Sequence, residues 1–222
     1  AAAQPVSVGA AITLAETFTT GSAANYNSVL TCSGNATALV GNVLTVNAAD
    51  TAITCTQTNT RRTATLTLRK QWNNAVVNNA VNFTATGLTT FNAVANTATE
   101  LDTAAAQSVS AGAAITLAET FTTGSAANYN SVLSCTGNTT ALSGNVLTVN
   151  GSDTAIVCTF TNSRPTLTLV KTWSGANVND AINFTATGLT TFASVANTAS
   201  ETDTAAAQPV SVGAAITLAE TF

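Results

Sequence analysis

The chain has 222 residues, of which only 7% are charged, and its formal net charge is −4. Six basic residues are too few to favour nucleic acid or an anionic membrane as a partner. Histidine is absent, which removes the usual general base and a common metal ligand. No apolar run approaches the length that spans a bilayer. We therefore expect no enzyme, no cofactor, no metal and no membrane insertion in this segment.

The chain repeats itself at long range. Its first eighteen residues, AAAQPVSVGAAITLAETF, return unchanged from Ala205 to Phe222, and a near copy begins at Ala104. Self-similarity at a period of about 102 residues indicates tandem copies of one domain rather than a solenoid of short units. The spacing between copies changes where TNTRRTATLTLRK aligns with TNSRPTLTLVK, and insertions concentrate in linkers. We therefore predict part of one repeat in 1–60, a complete repeat in 63–162 and the start of another in 164–222.

Short stretches rich in Thr and Val follow one another along the chain. In order, AAITLAETF, NVLTV, TATLTLRKQW, AVNFTATGL and TAIVCTFTN alternate apolar and polar residues, which is typical of β-strands. Turn signals such as Ser33-Gly34-Asn35 and Asn150-Gly151-Ser152 separate them. Many short strands without helices between them predict an all-β chain of β-sandwich domains.

The four cysteines form one pair in each copy. Cys32 and Cys55 are separated by 23 residues, as are Cys135 and Cys158, and no histidine or further thiol lies nearby to complete a metal site. We predict two disulfides, Cys32–Cys55 and Cys135–Cys158, with buried free thiols as the alternative. Disulfides imply an oxidising compartment.

Three polar residues continue apolar rows, because residues i and i+2 of a strand share a face. Lys70 follows Leu66 and Leu68 on the first strand of the complete repeat. Glu119 follows Ile115 and Leu117 on a middle strand, and Asn162 follows Cys158 and Phe160 on the last. A lone charge on a buried face would be costly, but three converging polar groups could satisfy one another.

With these residues the chain resembles the prealbumin-fold repeats of bacterial surface proteins, the SpaA-like and collagen-adhesin B-type domains. The resemblance rests on TLTLRK, on AITLAETF followed eight residues later by Tyr129, and on CTFTN. It implies immunoglobulin-like (prealbumin- or transthyretin-like) sandwiches of about 102 residues. It further implies an intramolecular isopeptide bond in which Lys70 supplies the amine, Asn162 the amide and Glu119 a proton shuttle that polarises the Asn162 carbonyl.

The sequence departs from that family where TTGSAANY replaces the usual glycine and proline before the tyrosine. A buried Lys–Glu salt bridge with Asn162 as a hydrogen-bond partner is the alternative to the crosslink. A further possibility is that Lys70 extends to solvent at a strand end.

The outer parts carry halves of the same set, Lys171 with Glu220 and Glu16 with Asn59. Either the chain is a window cut from a longer array, or its ends complement one another between subunits and build a head-to-tail fibre. The duplicated eighteen residues favour the window. The acidic pairs in TELDT and SETDT are expected in a solvated loop rather than in a calcium site.

Two classes of function fit this sequence. The first is a structural repeat in a bacterial extracellular fibre, stalk or filament, whose partners are other copies of the repeat. The second is an adhesin module whose loops bind a host or cell-surface ligand. Similar copies with few aromatic residues favour the stalk, since binding hot spots prefer Trp, Tyr and Arg.

Overall fold

The computed structural model describes residues 2–222 and is all-β apart from two single-turn 3-10 helices, at Ala23–Asn25 and Ala126–Asn128. Its strands fall into an N-terminal segment (2–61), a central segment (63–163) and a C-terminal segment (164–222). Within the described residues, every strand pairing joins strands of the same segment. No helix in this part of the chain is long and apolar enough to cross a membrane.

The central segment contains nine strands in two sheets. The strands are β5 Thr63–Asn73, β6 Ala80–Ala85, β7 Phe91–Val94, β8 Glu100–Thr103, β9 Gln107–Ser110, β10 Ala114–Thr123, β11 Asn130–Thr136, β12 Val146–Thr148 and β13 Ala155–Ser163. One sheet has the order β11–β13–β5–β8, with β9 also paired to β5, and the other has the order β12–β10–β6–β7.

Because buried and exposed residues alternate along these strands, each sheet buries one row of side chains. Leu66 and Leu68 of β5 pack in one apolar cluster with Phe83 of β6, Leu117 of β10 and Ile156 of β13. A second cluster surrounds Trp72 and Tyr129 at the far end of the segment. Two sheets with a shared apolar interior are consistent with a β-sandwich.

The first and last strands of the central segment are neighbours. β5 and β13 pair in parallel from Thr65 opposite Ala155 to Asn73 opposite Ser163. Because parallel strands point the same way, the chain enters this pair at one end and leaves it at the other. That arrangement places Lys70 and Asn162 on the same buried face.

The outer segments contain fewer strands. The N-terminal segment pairs β1 with β3 and β2 with β4, and its strands are β1 Ala11–Thr13, β2 Tyr26–Ser33, β3 Val43–Thr45 and β4 Thr54–Arg61. The strands of the C-terminal segment are β14 Thr166–Leu167, β15 Val170–Ser174, β16 Ala181–Ala186, β17 Phe192–Val195, β18 Ser200–Thr204, β19 Gln208–Pro209 and β20 Leu218–Thr221. In this segment β14 pairs with β19, β15 pairs with β18, and β16 pairs with both β17 and β20.

Both predicted disulfides are present, joining Cys32 to Cys55 and Cys135 to Cys158. Each joins residues that lie directly opposite on neighbouring antiparallel strands, with Cα atoms 4.0 and 4.1 Å apart. The repeated spacing of the cysteines therefore reflects one hairpin-like strand pair that occurs twice.

Candidate crosslinking site

Lys70, Glu119 and Asn162 meet in the interior of the central segment. Lys70 lies on β5 and Asn162 on β13, which are neighbouring strands of one sheet. Glu119 lies on β10 of the facing sheet. Lys70 and Asn162 are fully buried, and the Glu119 side chain is 6% exposed. The three residues that strand alternation selected therefore lie in contact, and Lys70 does not extend to solvent.

Each of the two Glu119 carboxylate oxygens contacts a different residue of the set. The Lys70 Nζ atom lies 2.6 Å from Oε2, and the Asn162 Nδ2 atom donates a hydrogen bond to Oε1 at 2.7 Å. The ion pair is close but its angles fall outside hydrogen-bond geometry, so Nζ and Oε2 interact chiefly through their charges. One carboxylate thus connects an amine to an amide nitrogen.

The orientation of the Asn162 amide differs from the expected one. Its nitrogen faces Glu119, whereas its carbonyl oxygen Oδ1 is buried without a hydrogen-bond partner. A carboxyl oxygen without a proton accepts hydrogen bonds, so Oε1 takes one from the N–H side of the amide. In this arrangement Glu119 does not polarise the Asn162 carbonyl, and its geometry suits proton transfer between the two nitrogens instead.

The surroundings of Lys70 increase the fraction of its neutral form. Burial lowers the pKa of Lys70 from 10.5 to about 8, although its interactions with Glu119 and the charge of Asp102 act in the opposite direction. At pH 7 roughly a tenth of such a group is an unprotonated amine, which is the nucleophilic form. The Trp72 ring centroid lies 4.4 Å from Nζ and closes one side of the site.

Sequence reasoning did not identify two further groups near the site. Asp102 of β8 lies opposite Lys70 in the sheet, and burial raises its pKa, with the charge of Glu100 adding to the rise. Ser131 of β11 donates a hydrogen bond to Glu119 Oε1 at 3.4 Å. The alternation of TELDT could have indicated Asp102, because Asp102 lies two residues after the half-buried Glu100 and therefore on the same face of the strand.

The expected solvated loop for the acidic pairs is wrong, because TELDT forms β8 and SETDT forms β18. Glu100 accepts hydrogen bonds from the backbone N–H groups of Asn96 and Thr97, and so closes the turn that precedes its own strand. Asp203 accepts a hydrogen bond from Ser194. These carboxylates are held by polar groups of the turns and strands around them.

The outer segments hold their halves of the set in contact but more exposed. The Lys171 Nζ atom lies 3.0 Å from Glu220 Oε1, with side chains 16% and 32% exposed. Asn59 Nδ2 donates to Glu16 Oε1 at 2.5 Å, and Ser28 donates to Asn59 Oδ1. The C-terminal segment has no counterpart of Asn162, and the N-terminal segment has no counterpart of Lys70.

Comparisons with protein-family models, with curated proteins and with solved structures found no match for this chain.

Proposed function

We propose that this chain is a load-bearing array of immunoglobulin-like, prealbumin-type sandwiches in a bacterial extracellular fibre, stalk or filament. The observation that carries the proposal is the buried Lys70–Glu119–Asn162 set, which connects the first and last strands of the central segment with a strand of the facing sheet. The resemblance to SpaA-like and collagen-adhesin repeats agrees with this assignment. Two disulfides agree with an oxidising compartment outside the cytoplasm.

The proposed crosslink is an isopeptide bond between Lys70 and Asn162. The neutral Lys70 Nζ attacks the Asn162 side-chain carbon, and Glu119 takes a proton from the amine through the oxygen that faces it. A proton then passes from Glu119 to Nδ2, the carbon–Nδ2 bond breaks, and ammonia leaves. One amide replaces another, so the reaction needs no oxidant, reductant or cofactor.

The position of this bond explains its use in a fibre. Tension applied along the chain enters β5 and leaves β13, and these two strands carry the crosslinked residues. A Lys70–Asn162 bond would carry that tension covalently past the sandwich core. The core would then add resistance to heat and proteases without having to resist force.

The joints between segments also support a stalk. Only Arg62 separates β4 from β5, and only Arg164 and Pro165 separate β13 from β14. Arg62 donates its backbone N–H to Asn25 O at 2.9 Å and accepts from Ala111 N–H at 2.9 Å. Short, hydrogen-bonded joints favour an extended rod over a flexible string of domains.

The intact mass of the 222-residue chain tests the crosslink. We expect the mass of the oxidised protein to be lower than that of its disulfide-bonded sequence by one ammonia, and a peptide containing Lys70 to be joined to one containing Asn162. The variants Asn162→Ala and Glu119→Gln should both show unshifted masses.

If the mass of the native chain is unshifted, the crosslink is rejected, and Lys70 and Glu119 form only a buried salt bridge. Saturable binding of the chain to a glycan or host protein would favour the adhesin function over the stalk.

A further inference from the structure

Ser131 of β11 lies directly opposite Asn162 of β13 in the antiparallel pairing of these strands. Directly opposed residues on one face of such a pair have Cβ atoms about 4.5–5.5 Å apart. Leu133 and Cys135, which follow Ser131 at intervals of two, pack against the apolar core, so this face of β11 is the inner one. The Ser131 hydroxyl group therefore approaches the buried site from the edge strand of the sheet.

The carbonyl oxygen of Asn162 is the atom of this site that most needs a hydrogen-bond donor. Oδ1 is buried without a partner, whereas the amide nitrogen donates to Glu119. When Lys70 attacks in the proposed reaction, the Asn162 side-chain carbon becomes tetrahedral and Oδ1 gains negative charge. A buried charge without a donor is costly, and donors placed at such an oxygen are usually the largest single contribution to catalysis.

Two side chains on the strands beside β13 are candidates for this donor. Trp72 lies opposite Asn162 on β5, but its indole N–H approaches the carboxyl group of Asp102 on β8, at the far side of β5. Ser131 lies on the other neighbour of β13, and rotation about its Cα–Cβ bond moves its hydroxyl group between nearby acceptors. Ser131 is therefore the better placed of the two.

The equivalent serine of the N-terminal segment already makes the required contact. Ser28 lies opposite Asn59, and its hydroxyl group donates to Asn59 Oδ1 while Asn59 Nδ2 donates to Glu16 Oε1. In the central segment Ser131 instead donates to Glu119 Oε1 at 3.4 Å. The amide has the same orientation in both segments, so the two contacts show two positions of one hydroxyl group, on the carboxylate and on the amide oxygen.

We propose that Ser131 is the oxyanion donor of the crosslinking reaction, a role that rests on the isopeptide bond proposed above. Before the attack its hydroxyl group donates to Glu119. As Glu119 takes the proton from Lys70, the carboxyl group loses its charge and Asn162 Oδ1 gains one, so the hydroxyl group turns to Oδ1 and keeps its own proton. When the proton passes from Glu119 to Nδ2 and ammonia leaves, the carbonyl bond forms again and the carboxylate regains its charge.

The Ser131 hydroxyl group also lies at the opening of the site. Glu119, Ser131 and Phe160 line a crevice beside β10, and Ser131 is exposed, whereas Lys70 and Asn162 are fully buried. This crevice is a route by which ammonia can leave after the bond to Nδ2 breaks. Water can enter by the same route, so it would replace part of the stabilisation when the hydroxyl group is removed.

The rate of crosslinking after synthesis tests this role. The full 222-residue chain is made by cell-free synthesis under oxidising conditions, samples are quenched at intervals, and intact mass gives the fraction that has lost one ammonia. Loss of one oxyanion donor typically slows a reaction by about 10²–10³-fold; because water replaces part of the effect here, we expect Ser131→Ala to crosslink roughly 10- to 100-fold more slowly. Ser131→Thr keeps the hydroxyl group and should react at close to the native rate.

Ser134→Ala is the matched control, because Ser134 is an exposed serine of the same strand that lies on its outer face. It should crosslink at the native rate. Counting thiols in the same samples shows whether each variant has formed the Cys135–Cys158 disulfide, and hence whether its β11–β13 pair has folded.

The pH dependence of the rate separates an oxyanion donor from a residue that acts only through Glu119. Loss of an oxyanion donor lowers the rate by the same factor at every pH, whereas loss of a hydrogen bond to the carboxylate alone moves the profile along the pH axis. Because the bond from Ser131 to Glu119 is long, we expect the Ser131→Ala profile to be lower than the native one and parallel to it.

Three results would overturn the inference and leave the crosslink in place: a native rate in Ser131→Ala, a rate in Ser131→Thr as low as in Ser131→Ala, or a change that is only a displacement of the pH profile. A native chain that never loses ammonia would instead reject the crosslink itself, and this role with it.

Discussion

At the scale of single residues, the buried indole N–H of Trp173 has a hydrogen-bond partner, whereas that of its counterpart Trp72 has none. In the C-terminal segment Ser194 accepts a hydrogen bond from Trp173 Nε1 at 2.8 Å and donates one to Asp203 at 2.6 Å. The central segment has Ala93 at the position of Ser194, and both Trp72 Nε1 and Asp102 Oδ2 are buried without a hydrogen-bond partner. Unpaired buried polar groups lower stability, so the central segment lacks an interaction that its neighbour has.

We therefore predict that Ala93→Ser raises the free energy of unfolding of the central segment by about 1 kcal/mol, because its hydroxyl can bridge Trp72 and Asp102. The reverse change, Ser194→Ala, should cost the C-terminal segment about 1–3 kcal/mol by leaving both partners unpaired. Denaturant unfolding followed by tryptophan fluorescence reports on each site. A loss of stability in Ala93→Ser would contradict the bridging role.

At the scale of strands, tension along the chain would load the parallel pair β5–β13 in shear. Force applied at the start of β5 and the end of β13 acts along the strands, so their hydrogen bonds share the load instead of breaking one after another. The Cys135–Cys158 disulfide joins β13 to β11 and lies within the stretch between Lys70 and Asn162. If the proposed isopeptide bond forms, it would therefore keep tension off the disulfide.

Single-molecule stretching of the full chain should distinguish the two covalent bonds. In the native chain the central segment should not lengthen stepwise under oxidising or reducing conditions. In Asn162→Ala it should lengthen, and reduction of the disulfide should release a further 23 residues, or up to roughly 80 Å of chain. The same lengthening in the native chain and in Asn162→Ala would be evidence against a crosslink.

At the scale of the whole molecule, the first joint depends on close packing against a glycine. A Cβ atom on Gly151 would lie 1.8 Å from Ala24 O of the preceding segment, and Gly151 does not have a positive φ. Close approach, not backbone conformation, therefore requires glycine here. Arg62 Nη1 donates to the Gly151 carbonyl at 3.3 Å and reinforces the contact.

Gly151→Ala should loosen this joint without unfolding either side, because the added methyl group displaces the Ala24–Asn25 turn. Hydrogen exchange at the Arg62 amide, which donates to Asn25 O, should become at least about tenfold faster, while amides of the central core keep their protection. Thr154→Ala, in the same loop but with an exposed side chain, is the control and should change neither. Unchanged exchange at Arg62 in Gly151→Ala would contradict a packed joint.

Much of the fold follows from local pattern. Alternation of period two placed Leu66, Leu68 and Lys70 on one buried face, and the repeated cysteine spacing identified both disulfide pairs. These features depend on residues within a strand or in neighbouring copies of one motif, and the pleat of a strand decides which side chains share a face. The long repeat also predicts domain boundaries near Arg62 and Arg164, where the spacing between copies changes.

Other features arise only when distant strands meet. Alternation cannot say that β5 lies parallel to β13, that Glu119 approaches from the facing sheet, or that the Asn162 amide presents its nitrogen to that carboxylate. The sequence by itself determined which residues face inward and which cysteines pair, because those properties are set by short-range geometry. The tertiary structure decided which inward-facing groups touch, because contacts between strands far apart in the chain depend on packing and charge across the whole sandwich.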